Sequence, residues 1–531
     1  MTLIRGGTIV DGTGKPSFVG DVIVDGDQVA DVVPSSDNRT IGQCETIDAS
    51  GMIVSPGFID AHTHSDAYLV IEPDAPSKVT QGITTEINGQ CGGSVAPRYG
   101  EARLSSDWAA VLGDRLTWRS LAEYREVLAA AKPAVNTVQF VGHNTLRSSV
   151  VGYAGRQATP DEQREMERLL AQTLDEGGWG LTTGLIYQPG KYSTPEEVVA
   201  LAKVAAAKGG FYATHMRSEG DRILEAIDEV IDLAKATGIR AEISHLKTSG
   251  RRNWHKIDAV LDKIEGAMSE GLLLGSDRYP YCAAGTDLDV VLPDWAQEGA
   301  APAETARLGN GELRKKIVEE IDSSDRDWST VMIGGTWASE NKRFSGKTIL
   351  EILRNEELGM MNEGVIPHSP GSLVCDILER DGCKTGAFFF GMSEENLAKI
   401  YSRPWIVPGS DASLRAPWGS LGKDHPHPRA YATMPEFYRR VRELGFSREE
   451  TVARMTSVPA DRFEIRNRGR LARGAYADIA VWKEDEFRTQ ATFTDPHQFA
   501  GGVRCVMTNG VVAYRDGKFT GERGGLFLER T

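Results

Sequence analysis

Five of the ten histidines stand where they can act together. His62 and His64 are separated by one residue, so on a β-strand both side chains leave by the same face. Two imidazoles projecting side by side suit a divalent metal. Cys91, His215 and His245 add a thiolate and two further imidazoles, a donor set suited to zinc. A thiolate, two histidines and an open position are the pattern of a catalytic zinc site. Taken singly, Cys91 also reads as a small buried hydrophobe and each histidine as a core or capping residue. Those two readings weaken once His143 and Asp411 are added, because all these residues fall at the ends of successive apolar runs.

The runs are the elements that must position them. Eight short apolar stretches end near 62, 90, 142, 184, 214, 244, 277 and 410, and each reads as a buried parallel strand. Helices lie between them. Thr159-Pro160-Asp161-Glu162 and Thr194-Pro195-Glu196-Glu197 each supply an N-cap, a proline at the first position and a glutamate at the third. Each helix should end at a glycine pair, Gly177-Gly178 and Gly209-Gly210. Ser447 and Glu450 open another, ending before Pro459. Eight strands alternating with helices predict an α/β fold, a (β/α)8 TIM-like barrel over 53–465 with polar groups gathered at the C-terminal ends of its strands.

Both chain ends read differently. Residues 1–52 and 466–531 alternate apolar and polar residues around Gly/Asp turns, and Asn509-Gly510 is a hairpin signal. They predict one small β-sandwich domain built from both termini. A βα unit needs ~30 residues, so the gap between strands seven and eight holds a large insertion, placed at 286–400. It is read either as a lid over the C-terminal face or as a decorative subdomain.

The run Pro56-Gly57-Phe58-Ile59-Asp60-Ala61-His62-Thr63-His64 resembles the first-strand signature of the amidohydrolase superfamily. Closer still is the similarity to its D-aminoacylase (N-acyl-D-amino-acid deacylase) family. That resemblance rests on Gly89-Gln90-Cys91-Gly92, Gly184-Leu185-Ile186-Tyr187, Thr214-His215-Met216-Arg217, Ser244-His245-Leu246-Lys247, Asp277-Arg278-Tyr279-Pro280-Tyr281, Gly409-Ser410-Asp411 and His427-Pro428-Arg429. It covers nearly the whole chain. It implies one tight zinc on Cys91, His215 and His245, with His62, His64 and Asp411 forming a second, weaker position or contacting a bridging metal. The superfamily's carbamylated lysine is not expected, and strand four offers no lysine at its end. The implied reaction is hydrolysis of N-acyl-D-amino acids to a carboxylate and a free D-amino acid. The D configuration comes from the resemblance alone.

The chemistry then follows. Zinc polarises an amide carbonyl and lowers the pKa of bound water from ~15.7 to ~7. Asp411 is the candidate base, returning the proton to the leaving amine. His143 is read as an oxyanion donor or as a structural hydrogen-bonding residue. Lys247, Tyr187 and Tyr279 are candidates to hold the substrate carboxylate, as the matching family positions do. Arg217 is ambiguous, with pairing to Glu219 or Asp221 as its loop-shaping reading, and His425-Pro426-His427-Pro428-Arg429 is read as a scaffold loop. Phe388-Phe389-Phe390-Gly391-Met392 is core or, as the family implies, pocket wall. Met392 as pocket wall would favour apolar side chains.

Composition excludes other classes. Sixty basic against 75 acidic residues give −15, which argues against a nucleic-acid binder. No apolar run approaches the ~20 residues of a membrane span, no signal peptide is evident, and six scattered cysteines fit a reduced, cytoplasmic chain. The expected partner is a small N-acyl amino acid, with no nucleic acid or membrane; the sequence is silent on oligomeric state. The rival readings are an N-acyl-D-glutamate or D-aspartate deacylase, another cyclic or linear amide hydrolase of the superfamily, and a non-catalytic barrel.

Overall fold

The computed structural model describes residues 1–34, 44–104, 111–360 and 369–530. Parts of the expected terminal domain (35–43) and insertion (361–368) therefore lie outside the described residues.

Eight barrel positions are filled in chain order. They are β6 (Phe58–Asp60), β7 (Ile83–Asn88), the pair β8 (Asn136–Gln139) and β9 (Val141–Gly142) interrupted at Phe140, then β10 (Gly180–Gly184), β11 (Phe211–His215), β12 (Arg240–Ile243), β13 (Leu274–Arg278) and β17 (Ile406–Pro408). Every pairing between them is parallel. The ring closes between the last and first strands: Ala61 N donates to Pro408 O at 3.1 Å and Asp411 N to His62 O at 2.8 Å. Nearly all residues of these strands are buried, as expected where helices cover one face and packed side chains fill the other.

The helices start where their caps predict. Pro160–Asp175 and Arg448–Met455 each carry a complete capping box, from Thr159 with Glu162 and from Ser447 with Glu450. Pro195–Ala207 has its Thr194 cap. The Glu197 side chain, which would complete a box there, is instead drawn to His143 and Arg147. Pro459 lies in the separate short helix Ser457–Arg462.

Both termini build a single hydrogen-bonded sheet of nine strands. It takes β1 (Thr2–Ile9), β2 (Phe18–Asp25), β3 (Gln28–Pro34), β4 (Glu45–Asp48) and β5 (Ile53–Pro56) from one end, and β18 (Ile479–Trp482), β19 (Val503–Thr508), β20 (Val511–Arg515) and β21 (Lys518–Phe519) from the other. It has its own apolar core, including Ile4, Val22, Val54, Ile479 and Met507. The β19–β20 hairpin turns through Asn509 and Gly510, both at positive φ. A Cβ at Gly510 would stand 1.9 Å from Gly26 O, so only glycine fits.

Between β13 and β17 the chain leaves the barrel. It forms a small antiparallel sheet of β14 (Ala284–Asp287), β15 (Val331–Ile333) and β16 (Gly386–Phe389), with helices and a separate apolar cluster around Ile317, Ile352 and Val374. Among the described residues no helix is long and apolar enough to cross a membrane.

Candidate active site

Three site residues have backbones that few residues other than glycine adopt: Cys91 at φ 52°, His245 at φ 39° and Asp411 at φ 49°. Such conformations cost ~1–3 kcal/mol each and persist where surrounding structure fixes them, commonly at functional sites. They turn the chain just past β7, β12 and β17, so that these side chains converge over the barrel mouth.

Cys91 lies at the centre. Its Sγ is 3.3 Å from His62 Nε2, 3.4 Å from His245 Nε2 and 3.8 Å from His215 Nδ1. Asp411 Oδ1 stands 3.0 Å from His64 Nε2 and 3.4 Å from His62 Nε2. The Cys91 backbone also occupies the space above strand four. A Cβ at Gly184 would lie 2.1 Å from Cys91 O, so no side chain fits at that last position of β10.

The electrostatics suit a cation. Burial would raise the Cys91 thiol, but His62 and His245 outweigh it and hold it well below the usual range. Burial likewise opposes charge on His64, yet its hydrogen bond to Asp411 and the neighbouring thiolate push it up to about 9. Burial would raise Asp411, but Arg429 above all holds it well below the usual carboxylate range. Negative charge this concentrated draws either protons onto imidazoles or a metal dication. One thiolate, four imidazoles and a carboxylate are donors that zinc accepts. The residues thus fit the metal expected from the sequence.

Several groups missed by sequence reasoning complete the site. Asp277 Oδ2 lies 3.2 Å from His62 Nδ1, and Asp277 Oδ1 accepts from His245 N at 3.0 Å. Glu219 Oε1 is 3.0 Å from His245 Nδ1 and its Oε2 is 3.6 Å from His215 Nε2. Arg429 Nη1 donates to Asp411 Oδ2 at 2.8 Å. Beneath the site, buried Lys78 binds Asp60 at 2.9 Å, Glu86 at 3.0 Å and Ser410 Oγ at 3.2 Å, tying strands one, two and eight together.

Other expectations meet mixed outcomes. Lys247 is buried beside the cluster, ion-paired to Glu219 and 2.7 Å from His245 Nδ1. The Tyr187 ring packs edge-on to His215 at 4.9 Å. Buried Tyr279 has a hydroxyl with no hydrogen-bond partner among the described residues, and its ring lies 5.8 Å from Lys247 Nζ. Met392 Sδ accepts from Arg278 Nη2 at 3.0 Å.

His143 is not brought into the cluster. It begins the helix His143–Val150, is fully buried and bonds Glu197 through Nε2 at 2.8 Å, a contact that favours the structural hydrogen-bonding reading over the oxyanion donor. Arg217 pairs with Glu229, at 2.9 Å and 3.0 Å, rather than with Glu219 or Asp221. The 425–429 loop is more than scaffold, since Arg429 reaches Asp411. Its two histidines do stay outside the cluster, bonded to Phe493 O and Ala283 O.

The sequence profile described as "Amidohydrolase family" matches residues 45–347 and 377–514. The chain is 31% identical to D-aminoacylase of Alcaligenes xylosoxydans xylosoxydans, over 100% of this chain and 97% of that protein. It is 32% identical to N-acyl-D-glutamate deacylase of the same organism, over 96% of this chain and 93% of that one. Among solved structures, N-acyl-D-glutamate deacylase from Bordetella bronchiseptica, complexed with zinc and a phosphonate mimic of the tetrahedral intermediate, superposes with a TM-score of 0.82. It is 30% identical over 100% of this chain and 99% of that chain. With a barrel closed around a thiolate–imidazole cluster and a family match over most of its length, the chain belongs to the amidohydrolase family.

Proposed function

We propose that this protein is a zinc hydrolase that cleaves N-acyl-D-amino acids into a carboxylate and a free D-amino acid. The observation that carries the reading is the convergence of three imidazole nitrogens on Cys91 Sγ within 3.8 Å, beside the ionised carboxylate of Asp411. Cys91, His215 and His245 are assigned the tight zinc, and His62, His64 and Asp411 a second, weaker position. Zinc bound there supplies a Lewis acid that polarises an amide carbonyl and acidifies water.

The chain's own groups do the rest. Asp411 takes a proton on Oδ1 while Arg429 holds Oδ2, then delivers it to the departing amine nitrogen. Lys247, with Tyr187 and Tyr279, anchors the substrate carboxylate through charge-assisted hydrogen bonds. The free Tyr279 hydroxyl supports that role, since a buried donor without a partner is costly unless a ligand supplies one. The insertion contributes at its root: Gly285 O accepts from Arg429 at 3.2 Å, and Thr286 Oγ1 reaches Tyr187 at 3.5 Å. These contacts favour a lid over a decorative subdomain.

The test is a panel of N-acetyl amino acids of both hands with apolar and acidic side chains. The reading expects amine release from D substrates only. Equal cleavage of L substrates, or of cyclic amides alone, contradicts it. The side chain preferred separates a general D-aminoacylase from a D-glutamate or D-aspartate deacylase.

A further inference from the structure

An imidazole binds a metal through a nitrogen that carries a lone pair. Its other nitrogen is then an N–H and needs an acceptor, which fixes tautomer and ring orientation. The three imidazoles around Cys91 differ in what their outer nitrogens meet. His62 turns Nε2 to Sγ and Nδ1 to Asp277. His245 turns Nε2 to Sγ, and its Nδ1 lies 3.0 Å from Glu219 Oε1. His215 turns Nδ1 to Sγ. Its Nε2 is buried without a hydrogen-bond partner, and Glu219 Oε2 stands 3.6 Å away.

We propose that Glu219 is the positioning residue for two metal ligands at once, offering one carboxylate oxygen to His245 Nδ1–H and the other to His215 Nε2–H. The proposal rests on the reading of Cys91, His215 and His245 as the zinc ligands. A tightening of a few tenths of an ångström brings the second contact into hydrogen-bond range. The loop that carries Glu219 is itself held in place, because Ser249 N donates to Glu219 O at 2.7 Å and Arg217 is fixed by Glu229.

Two other roles compete. His215, Glu219 and His245 offer atoms close enough to hold a metal themselves. A cation there would take the imidazole nitrogens that face away from Cys91 and leave the thiolate out. Lys247 also competes, with Nζ 2.7 Å from His245 Nδ1. A lysine ammonium has only donors. Donation to Nδ1 would make Nε2 the N–H and aim that hydrogen at Sγ, the tautomer that cannot ligate. Glu219 selects the opposite tautomer. Lys247 then keeps its bonds to Glu219 and to His245 O at 3.1 Å, so one carboxylate orients both metal ligands and holds the substrate anchor beside them.

The experiment is zinc affinity, measured on metal-stripped protein by competition with a chromophoric chelator. Wild type, Glu219→Ala, Glu219→Gln and Lys247→Met are compared. Glu219→Ala should weaken zinc ~10–100-fold, the usual cost of removing a partner that orients a metal-bound histidine. Glu219→Gln should fall between, because its amide keeps one acceptor oxygen. This isosteric variant carries the test if the alanine protein does not fold. Lys247→Met should bind zinc at least as tightly as wild type. In cobalt-substituted Glu219→Gln, the sulfur-to-metal charge-transfer band should persist, because Cys91 remains a ligand. Zinc affinity unchanged in both Glu219 variants overturns the proposal. So does loss of the thiolate band in Glu219→Gln, or equal weakening in Lys247→Met. Wild type that binds no zinc would instead refute the ligand assignment itself.

Discussion

Arg429 donates to Asp411 Oδ2 at 2.8 Å and leaves Oδ1 to His64 and His62, so the two oxygens of one carboxylate have unlike surroundings. The guanidinium counteracts the burial that would otherwise raise Asp411, and it fixes the plane of the carboxylate. The family-typical sequence around Arg429 gives no hint of this, because the contact depends on the left-handed backbone at residue 411.

Arg429→Met should therefore lower kcat ~10–100-fold, the scale for losing an orienting partner. It should also change the pH profile. With the cation gone, burial pushes Asp411 upward, so the acidic limb of kcat/KM moves to higher pH. A profile identical to wild type would remove Arg429 from the site.

Asp411→Asn tests the base directly. An amide keeps the shape and some hydrogen bonding but accepts no proton at neutral pH. Loss of a group that serves as base and then as acid should exceed the ~10²–10⁴-fold of one general-catalysis step. Tight zinc should remain, because its proposed ligands Cys91, His215 and His245 are untouched. Parallel measurement of kcat and zinc content distinguishes the cases: a fall below ~100-fold marks an orienting residue, and a large fall with zinc lost marks a ligand.

Lys247→Met should weaken substrate binding. A charge-assisted hydrogen bond contributes ~1.5–3 kcal/mol, which corresponds to a roughly ten- to hundredfold fall in kcat/KM. Steady-state kinetics with a free-carboxylate substrate and its methyl ester check this. The variant should lose its effect on the ester.

Much of this site was legible from the sequence, and the rest was hidden for stated physical reasons. The eight strands are short apolar runs and the helices carry strong caps, so the barrel follows from local signals. His62, His64, Cys91, His215, His245 and Asp411 follow because they end those strands. Glu219 and Arg429 do not, since they reach the site from segments beyond the strand ends, and Asp277, although it stands in β13, shows its role only through the His62 ring and the His245 amide that it meets. His143 looked equivalent to the other strand-end histidines. Its partner Glu197 lies 54 residues on, at the start of the helix Pro195–Ala207, where it could as well have completed the capping box.

The insertion offers an independent pH test. Buried Glu304 and half-buried Asp289 stand together; burial first and their mutual repulsion next raise Asp289 to about 8, and burial chiefly raises Glu304 to about 7. Raised folded-state values mean that the native pair prefers to be protonated. Its contribution is full below the ordinary carboxylate range, near pH ~4, and is lost as pH rises through about 7 to 8. Thermal melts should show stability falling across that window, with a smaller fall in Glu304→Gln. An equal fall in both would place the titration elsewhere.

The central claim is a zinc site built on Cys91 that hydrolyses N-acyl-D-amino acids. The most direct measurement is zinc content per chain together with amine release from an N-acetyl-D-amino acid, before chelation, after chelation and after zinc is restored. Cys91→Ala is carried alongside. The account predicts tightly bound zinc in wild type, activity that disappears and returns with the metal, and neither zinc nor activity in Cys91→Ala. Activity that survives chelation, or a Cys91→Ala protein that keeps its zinc and a near-normal rate, would contradict it.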